Sequence, residues 1–479
     1  MSGFAMGAGI GAENSRFPKV AAQRMNVPLF LHRPMKLFLR LLLAVCFTRV
    51  VTAETPLNFL VVLIDDMGMT DLACYGSKFY ETPHIDRLAR DGMKFTHAYS
   101  ACTVCSPTRA ALLTGKYPAR LHVTDWIAGH VYPFAKLRVP DWTQELKAGE
   151  TTIAELLRGK KYATAQFGKW HLGKGQPATA HGFEVSVADN GLGQPASYLS
   201  PFKNPNLPDG PPGEELTERL TREAAEWIGK NRDRPWFLYL PHFAVHTPLG
   251  GKPESVSHFH AKADPGAPQK NAKYAAMVAA VDDSIGALRA KLDELHLAEN
   301  TVIVFTSDNG GLLPITSNLG LRAGKGSAYE GGVRVPAIVL WPGVTKPGSE
   351  CATPIVTMDW FATLAAAAGI DAKSEGVDLR PLLRGETIPP RPLYWHYPHY
   401  HPGGATPHSA VRDGDWKLVH FYEDDRVELY NLRDDPEEKI DLAGKEPDRA
   451  KTQRAQLDAW RAEVGAQAPS PNPDYDAAR

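Results

Sequence analysis

Short, almost unbroken apolar runs alternate along this chain with longer amphipathic stretches. Residues 58–64, NFLVVLI, carry no charge and stop at Asp65-Asp66. A run of this length, rich in branched side chains and without polar alternation, predicts a strand buried on both faces of a largely parallel sheet. Residues 236–240 (WFLYL), 301–306 (TVIVFT) and 337–341 (AIVLW) repeat the pattern. Between them, 215–228 and 272–295 read as helices. Strands alternating with helices predict an α/β fold, a large mixed β-sheet sandwiched by helices. A further strand is expected over 162–171, YATAQFGKWH, which would turn Lys169 and His171 to one face.

The texture changes near Pro389. Segments 394–397, 409–412, 416–420 and 427–430 read as short strands, and Asp413-Gly414 is a strong hairpin signal between two of them. Leu457, Trp460 and Val464 sit at helical spacing within 448–464. The expectation is a catalytic body over 54–388 and a small C-terminal antiparallel-sheet-plus-helix subdomain over 389–479. From Ala466 onward the chain is rich in Pro, Asn and Ala and is expected to fray.

Residues 1–53 read differently. Lys36 and Arg40 precede an apolar core, 41–47, and Val51-Thr52-Ala53 offers small residues for cleavage. This is the pattern of a signal peptide behind an upstream extension, with the true start expected at Met35. The apolar run is too short to span a bilayer, which needs about 20 residues. A periplasmic or secreted location is expected, with no stable membrane span.

Of the 479 residues, 43% are hydrophobic, enough for the large core this pattern requires. Net charge is −1, so no global basic field argues for a nucleic-acid partner, and an anionic substrate would have to be held by local groups. Five cysteines, one of them within the signal region, are too few for a disulfide scaffold.

The chemistry gathers at strand ends, where ligands bind in open α/β sheets. Asp65-Asp66 ends one buried-type run and Asp308-Asn309 follows another. One such pair alone is more often a helix cap or a solvated turn. Two, on strands that could be neighbours, place three carboxylates and an amide together, a donor set for a hard divalent cation rather than zinc. The segment Cys105-Ser106-Pro107-Thr108-Arg109 continues into Ala110-Ala111-Leu112-Leu113-Thr114-Gly115. Pro107 suits a first helical turn, which places Cys105 just before a helix starting near Ser106, where an anion is favoured.

This run resembles the C-x-P-x-R signature of the type I, formylglycine-dependent sulfatases, arylsulfatase A-like members of the alkaline phosphatase superfamily. The resemblance extends from about Leu57 to the final segment. It implies that Cys105 is oxidised by a formylglycine-generating maturase and becomes the nucleophile. It also implies that residue 105 shares a cation, Ca2+ with Mg2+ as the alternative, with Asp65, Asp66, Asp308 and Asn309. Arg109 would orient the nucleophile. Lys169 and His171 match the family's K-x-H, a sulfate-binding lysine and a histidine that helps release sulfate. His246, in Val245-His246-Thr247-Pro248, matches a histidine-x-proline element and would be the general acid. Lys325, in the Gly-rich segment 324–332, would be a second sulfate-contacting lysine. His242 is read as structural.

The implied substrate is a sulfated carbohydrate or an aryl sulfate, with exo action on carbohydrates expected. His399, His401 and Arg412 are candidates for reading the sugar; packing of the subdomain is the competing reading for each. The rival functions are a phosphate or phosphonate ester hydrolase of the same superfamily and a non-catalytic pseudosulfatase that binds sulfated glycans.

Overall fold

The computed structural model describes residues 56–478. The expected signal peptide and Met35 lie outside the described residues. Asn58–Ile64 is the central strand of a nine-stranded sheet, flanked in parallel by Trp236–Pro241 and Thr301–Ser307. Its side chains alternate between two apolar layers. Leu60, Val62 and Ile64 enter one, covered by the helices Pro83–Asp91, Leu216–Lys230 and Ala272–Glu294. Phe59, Val61 and Leu63 enter the other, covered by Cys105–Thr114, Ile153–Gly159 and Met358–Ala367. Burial on both faces is why this strand contains no charge.

From one edge the order is Ile355–Val356, Met93–Tyr99, Arg334–Leu340, Thr301–Ser307, Asn58–Ile64, Trp236–Pro241, Ala163–Phe167 and Val185–Val187, with Ser349–Cys351 also on Met93–Tyr99. Arg334–Leu340 runs antiparallel to both neighbours, so the sheet is mixed. Helix ends are set locally. Thr152 and Glu155 form a reciprocal capping box, and Asn271 caps the 23-residue Ala272–Glu294.

The strands Leu393–Tyr397, His408–Asp413, Trp416–Phe421 and Val427–Asn431 form a separate antiparallel sheet under the helix Pro447–Val464. Asp413 pairs with Trp416 across the Gly414-Asp415 hairpin loop. Trp395, Val411, Leu418, Leu457 and Trp460 share one apolar cluster with Tyr99, Val333 and Met358 of the main body. Among the described residues no helix is long and apolar enough to cross a membrane.

Three local expectations are corrected. The strand expected over 162–171 ends at Phe167, because Gly168 turns away with φ +122 and a Cβ there would lie 2.1 Å from the Pro241 carbonyl oxygen. The tail beyond Ala466 does not simply fray: Ser470–Pro471 pairs with Leu137–Arg138, and the Asn472 amide donates to the carbonyls of Pro133 and Ala135. Cys105 is the first residue of its helix rather than the residue before it, since Val104 takes the extended cap conformation.

A buried ionic knot joins the two sheets. Lys417, from the small sheet, donates to Glu330 at 2.9 Å and lies 3.0 Å from Glu438. All three side chains are at most 1% exposed. Removing this ammonium would leave buried Glu438 without its ion pair and Glu330 with only Arg334, 3.6 Å away. Lys417→Met is therefore expected to cost about 3–5 kcal/mol in equilibrium urea unfolding; a loss below about 0.5 kcal/mol, the range of a neutral surface change, would show that the knot does not hold the sheets together.

Candidate active site

Sheet register brings the acids together. Ile64 is paired with Ser307, so the next residues, Asp65 and Asp308, leave the sheet side by side. The Asp66 N–H donates to Asp308 Oδ1 at 3.2 Å, and Asn309 Nδ2 donates to Asp66 Oδ1 at 2.7 Å. All four residues are buried.

Three cations face these three carboxylates. Arg109, fully buried on Cys105–Thr114, donates through Nε at 3.0 Å and Nη2 at 2.6 Å to Asp308 Oδ2, and Nη1 donates to the Lys169 carbonyl at 2.9 Å. Lys169 Nζ meets Asp65 Oδ2 at 2.5 Å. Lys325 Nζ meets Asp66 at 2.7 and 2.9 Å. Burial would raise Asp66, but the Lys325 ammonium and then His246 outweigh it and hold its carboxyl well below the usual range. Burial pushes Asp65 up to about 8 against the pull of Lys169, with Asp308 adding to the rise.

Cys105 lies beside this cluster, at a helix N-terminus that no side chain caps. First-turn N–H groups are thereby left to solvate an anion. Its Sγ is 3.3 Å from His171 Nδ1. The other ring nitrogen, Nε2, donates to the Ile127 carbonyl, which can only accept. In neutral His171 the Nδ1 lone pair therefore points at residue 105. Burial, then Lys169, hold this imidazole well below its ordinary value, so it is neutral. His246 is fixed in the opposite sense: Nδ1 donates to the Thr247 carbonyl at 2.6 Å, leaving Nε2 3.6 Å from Asp66 Oδ2. Burial and Lys325 bring His246 down to about 3.

Lys169 and His171 converge on the site from a loop, not from alternate positions of a strand. His171 takes φ 55, and Gly193 of a neighbouring loop presses on its ring. The candidate sugar readers separate. His401 packs on Gly326, beside Lys325. His399 is buried, with Nε2 2.9 Å from Thr124 Oγ1. Arg412 is not brought to the site. It is 4% exposed and engaged in the seam between the sheets, by the Gly414 carbonyl at 2.9 Å and by Tyr99 Oη, itself bound to Glu330. His242 pairs with Ser284 Oγ at 3.1 Å, in keeping with a structural reading. Cys74, Cys102, Cys105 and Cys351 are unpaired.

Several contributors carry no sequence signal. The Ile127 carbonyl that fixes the His171 tautomer is a backbone atom. Asp71 accepts from the Gly68 N–H, Tyr274, Thr316 and Gln269, tying the loop after Asp65-Asp66 to the loop after Asn309. A lone aspartate in a loop does not announce such a clamp.

The donor set fits a cation. Asp65 Oδ1 and Asn309 Oδ1 are buried without a hydrogen-bond partner, and ligand atoms of Asp65, Cys105 and Asp308 all lie within 4.8 Å of one another. Arg109 Nη2 faces Asp65 Oδ1 at 3.5 Å without donating a hydrogen bond, so both buried oxygens keep acceptor capacity for a cation, which buried oxygens need to offset their desolvation.

A family model described as Sulfatase matches residues 57–370, and one described as N-sulphoglucosamine sulphohydrolase, C-terminal, matches 324–461. A sulfatase of Formosa agariphila is 33% identical, over 84% of this chain and 88% of its own. Human N-acetylgalactosamine-6-sulfatase is 34% identical, over 72% of this chain and 69% of its own. The crystal structure of Ps i-CgsB, also solved with k-i-k-neocarrahexaose, matches with TM-score 0.73 and 28% identity over 88% of this chain and 95% of that one. The chain belongs to the sulfatase family, within the alkaline phosphatase superfamily, and is a sulfuric ester hydrolase.

The Gly193 contact makes a sharp test of the geometry. A Cβ at position 193 would lie 2.7 Å from His171 Cε1 and Nε2, forcing the ring or the loop to shift. Gly193→Ala is expected to lower sulfatase kcat roughly 10- to 100-fold with the melting temperature nearly unchanged. Unchanged kcat would mean that the position of this ring does not matter to turnover.

Proposed function

We propose that the protein hydrolyses sulfate esters of carbohydrates, acting from chain ends, through formylglycine at position 105 and a bound divalent cation. The observation that carries this reading is the His171 Nδ1 lone pair aimed at residue 105, 3.3 Å away, beside the buried acid–base cluster. Cys105 Sγ stands where the oxygens of hydrated formylglycine would be. That group would supply two hydroxyls: one gives its proton to Asp308 as it attacks sulfur, and deprotonation of the second re-forms the aldehyde as the bond between its carbon and the sulfated oxygen breaks; a serine would need water to cleave its own ester.

The cation would be held by Asp65, Asp66, Asp308, Asn309 and residue 105, with Ca2+ favoured and Mg2+ the alternative. When bound, it supplies Lewis-acid polarisation of the sulfuryl oxygens. The charge balance supports it. Three carboxylates and the cations of Arg109, Lys169 and Lys325 cancel formally, so a divalent ion leaves the excess positive charge that an anionic ester needs.

The chain's own residues then have distinct tasks. Arg109, locked by Asp308, orients the oxygens at position 105. Lys169 and Lys325 turn from their carboxylates toward the sulfuryl oxygens. His246 gives a proton to the departing sugar oxygen from Nε2, the nitrogen left free by its Thr247 bond. Negative charge of a bound ester beside His246 favours the protonated ring, opposing the Lys325 effect. His171 takes the proton of the second hydroxyl at Nδ1.

The sugar specificity rests on the relatives named for sulfated amino sugar and for a neocarrahexaose complex. The pattern over 35–53 supports export to the periplasm or beyond, with maturation by a formylglycine-generating partner. The body 54–388 carries the chemistry in this reading, and the subdomain 389–479 walls the site. No ligand position is lost, which disfavours the pseudosulfatase, and oxygen donors rather than a histidine-rich zinc pair disfavour a phosphatase.

Cys105→Ala is expected to reduce kcat at least about 10⁴-fold while retaining a cooperative melt; near-wild-type turnover would remove residue 105 from the chemistry. Ca2+ at 100 times its Kd is expected to add about 2.7 kcal/mol to unfolding free energy, a gain that Asp65→Asn should abolish. Identical melts with and without the ion would contradict the cation site.

A further inference from the structure

One loop of the site has exposed rings that the chemistry above does not use. Ile127 is bonded on both sides to the catalytic strip: its N–H donates to Ser106 Oγ at 3.1 Å and its carbonyl accepts from His171. On one side of it, buried Asp125 accepts from the Trp126 N–H at 2.8 Å and from Tyr397 Oη at 2.9 Å. On the other, the backbone at Gly129 lies so close to Trp142 that a Cβ would fall 2.2 Å from its ring. The loop is thus fixed before any ligand arrives, which lowers the ordering cost of binding.

A series of ring contacts passes from buried His401, beside Lys325, to the exposed end of this loop. His401, seated on Gly326, is 5.4 Å from Trp126; Trp126 is 5.2 Å from His130; His130 is 6.2 Å from Tyr132, which is 37% exposed. Successive rings meet edge to face, at 76°, 80° and 68°, and together offer apolar ring surface beside imidazole nitrogens and a phenol hydroxyl, which suits a ligand that is apolar on its faces and hydroxylated at its rim. Rigid aromatic side chains give large contact area for little conformational entropy.

We propose that Trp126, His130 and Tyr132, continuing from His401, form a shelf for the sugar residue that adjoins the sulfated one, so that the preferred substrate is a sulfated oligosaccharide rather than a monosaccharide. This rests on the sulfatase reading above and deepens it.

The test uses the mature, Ca2+-loaded full chain. Sulfated oligosaccharides from carrageenan, chondroitin sulfate and heparin are each compared with the matching monosaccharide sulfate, alongside 4-methylumbelliferyl sulfate. The wild type is expected to favour one oligosaccharide over its monosaccharide through KM. Trp126→Ala and Tyr132→Ala should each raise the oligosaccharide KM about tenfold, the factor equivalent to 1.4 kcal/mol, and so collapse that preference. Ile440→Ala, an exposed apolar change in the other sheet's periphery, should preserve it. If Trp126→Ala disturbs His171 through Ile127, kcat falls for every substrate; Tyr132→Ala, farther along the loop, then decides. A wild type without oligosaccharide preference, or Tyr132→Ala lowering all substrates in proportion, overturns the shelf. Sugar sulfates cleaved without that preference overturn the shelf alone; hydrolysis of the methylumbelliferyl ester with no sugar cleaved overturns the carbohydrate reading as well, and hydrolysis of no sulfate ester at all overturns the underlying sulfatase chemistry.

Discussion

Three carboxylates and three cations are buried together where central strands of the main sheet end, and the rest of the site is arranged around their balance. No member can be removed without exposing another to a low-dielectric interior, where an unpaired charge is expensive. Arg109 satisfies Asp308 and also ties the Lys169 carbonyl, so the helix carrying residue 105 and the loop carrying Lys169 and His171 are fixed by one guanidinium. The lysines are held by carboxylates in positions from which they can turn to an anion. Two oxygens, on Asp65 and Asn309, accept no hydrogen bond; in the proposed reading a divalent ion meets them and gives the otherwise balanced cluster a net positive charge.

The supporting fold follows from burial. A central strand whose successive side chains enter two different apolar layers must be apolar throughout, and it can expose functional groups only where it ends. Register then does what spacing alone cannot: it sets Asp65 beside Asp308, 243 positions apart in sequence, through the Ile64–Ser307 pair.

Much of this was legible in the sequence, for physical reasons. Strands buried on both faces give unbroken apolar runs, and paired acids at their ends are conspicuous, so the α/β sheet, the small C-terminal sheet and the residues gathered around the acids could be foreseen. The failures lie where tertiary contact overrides local pattern. Residues 162–171 read as one long strand, but the Pro241 carbonyl leaves room only for glycine at 168, and the loop begins there. Arg412 was a candidate for reading the sugar, with packing as its alternative, and it is engaged by Tyr99 and the Gly414 carbonyl in the inter-sheet seam. The Ile127 carbonyl and the loop that presents Trp126 were invisible, since neither a backbone acceptor nor a ring on a loop has a sequence period.

The central claim is that residue 105 acts as formylglycine. The most direct measurement is the mass of the tryptic peptide spanning 95–109, from protein co-produced with a formylglycine-generating maturase and alkylated before digestion. The account predicts a loss of about 18 Da at residue 105, a covalent side-chain change, with Cys102 of the same peptide alkylated as an ordinary thiol. A fully active enzyme in which both cysteines are alkylated would contradict it.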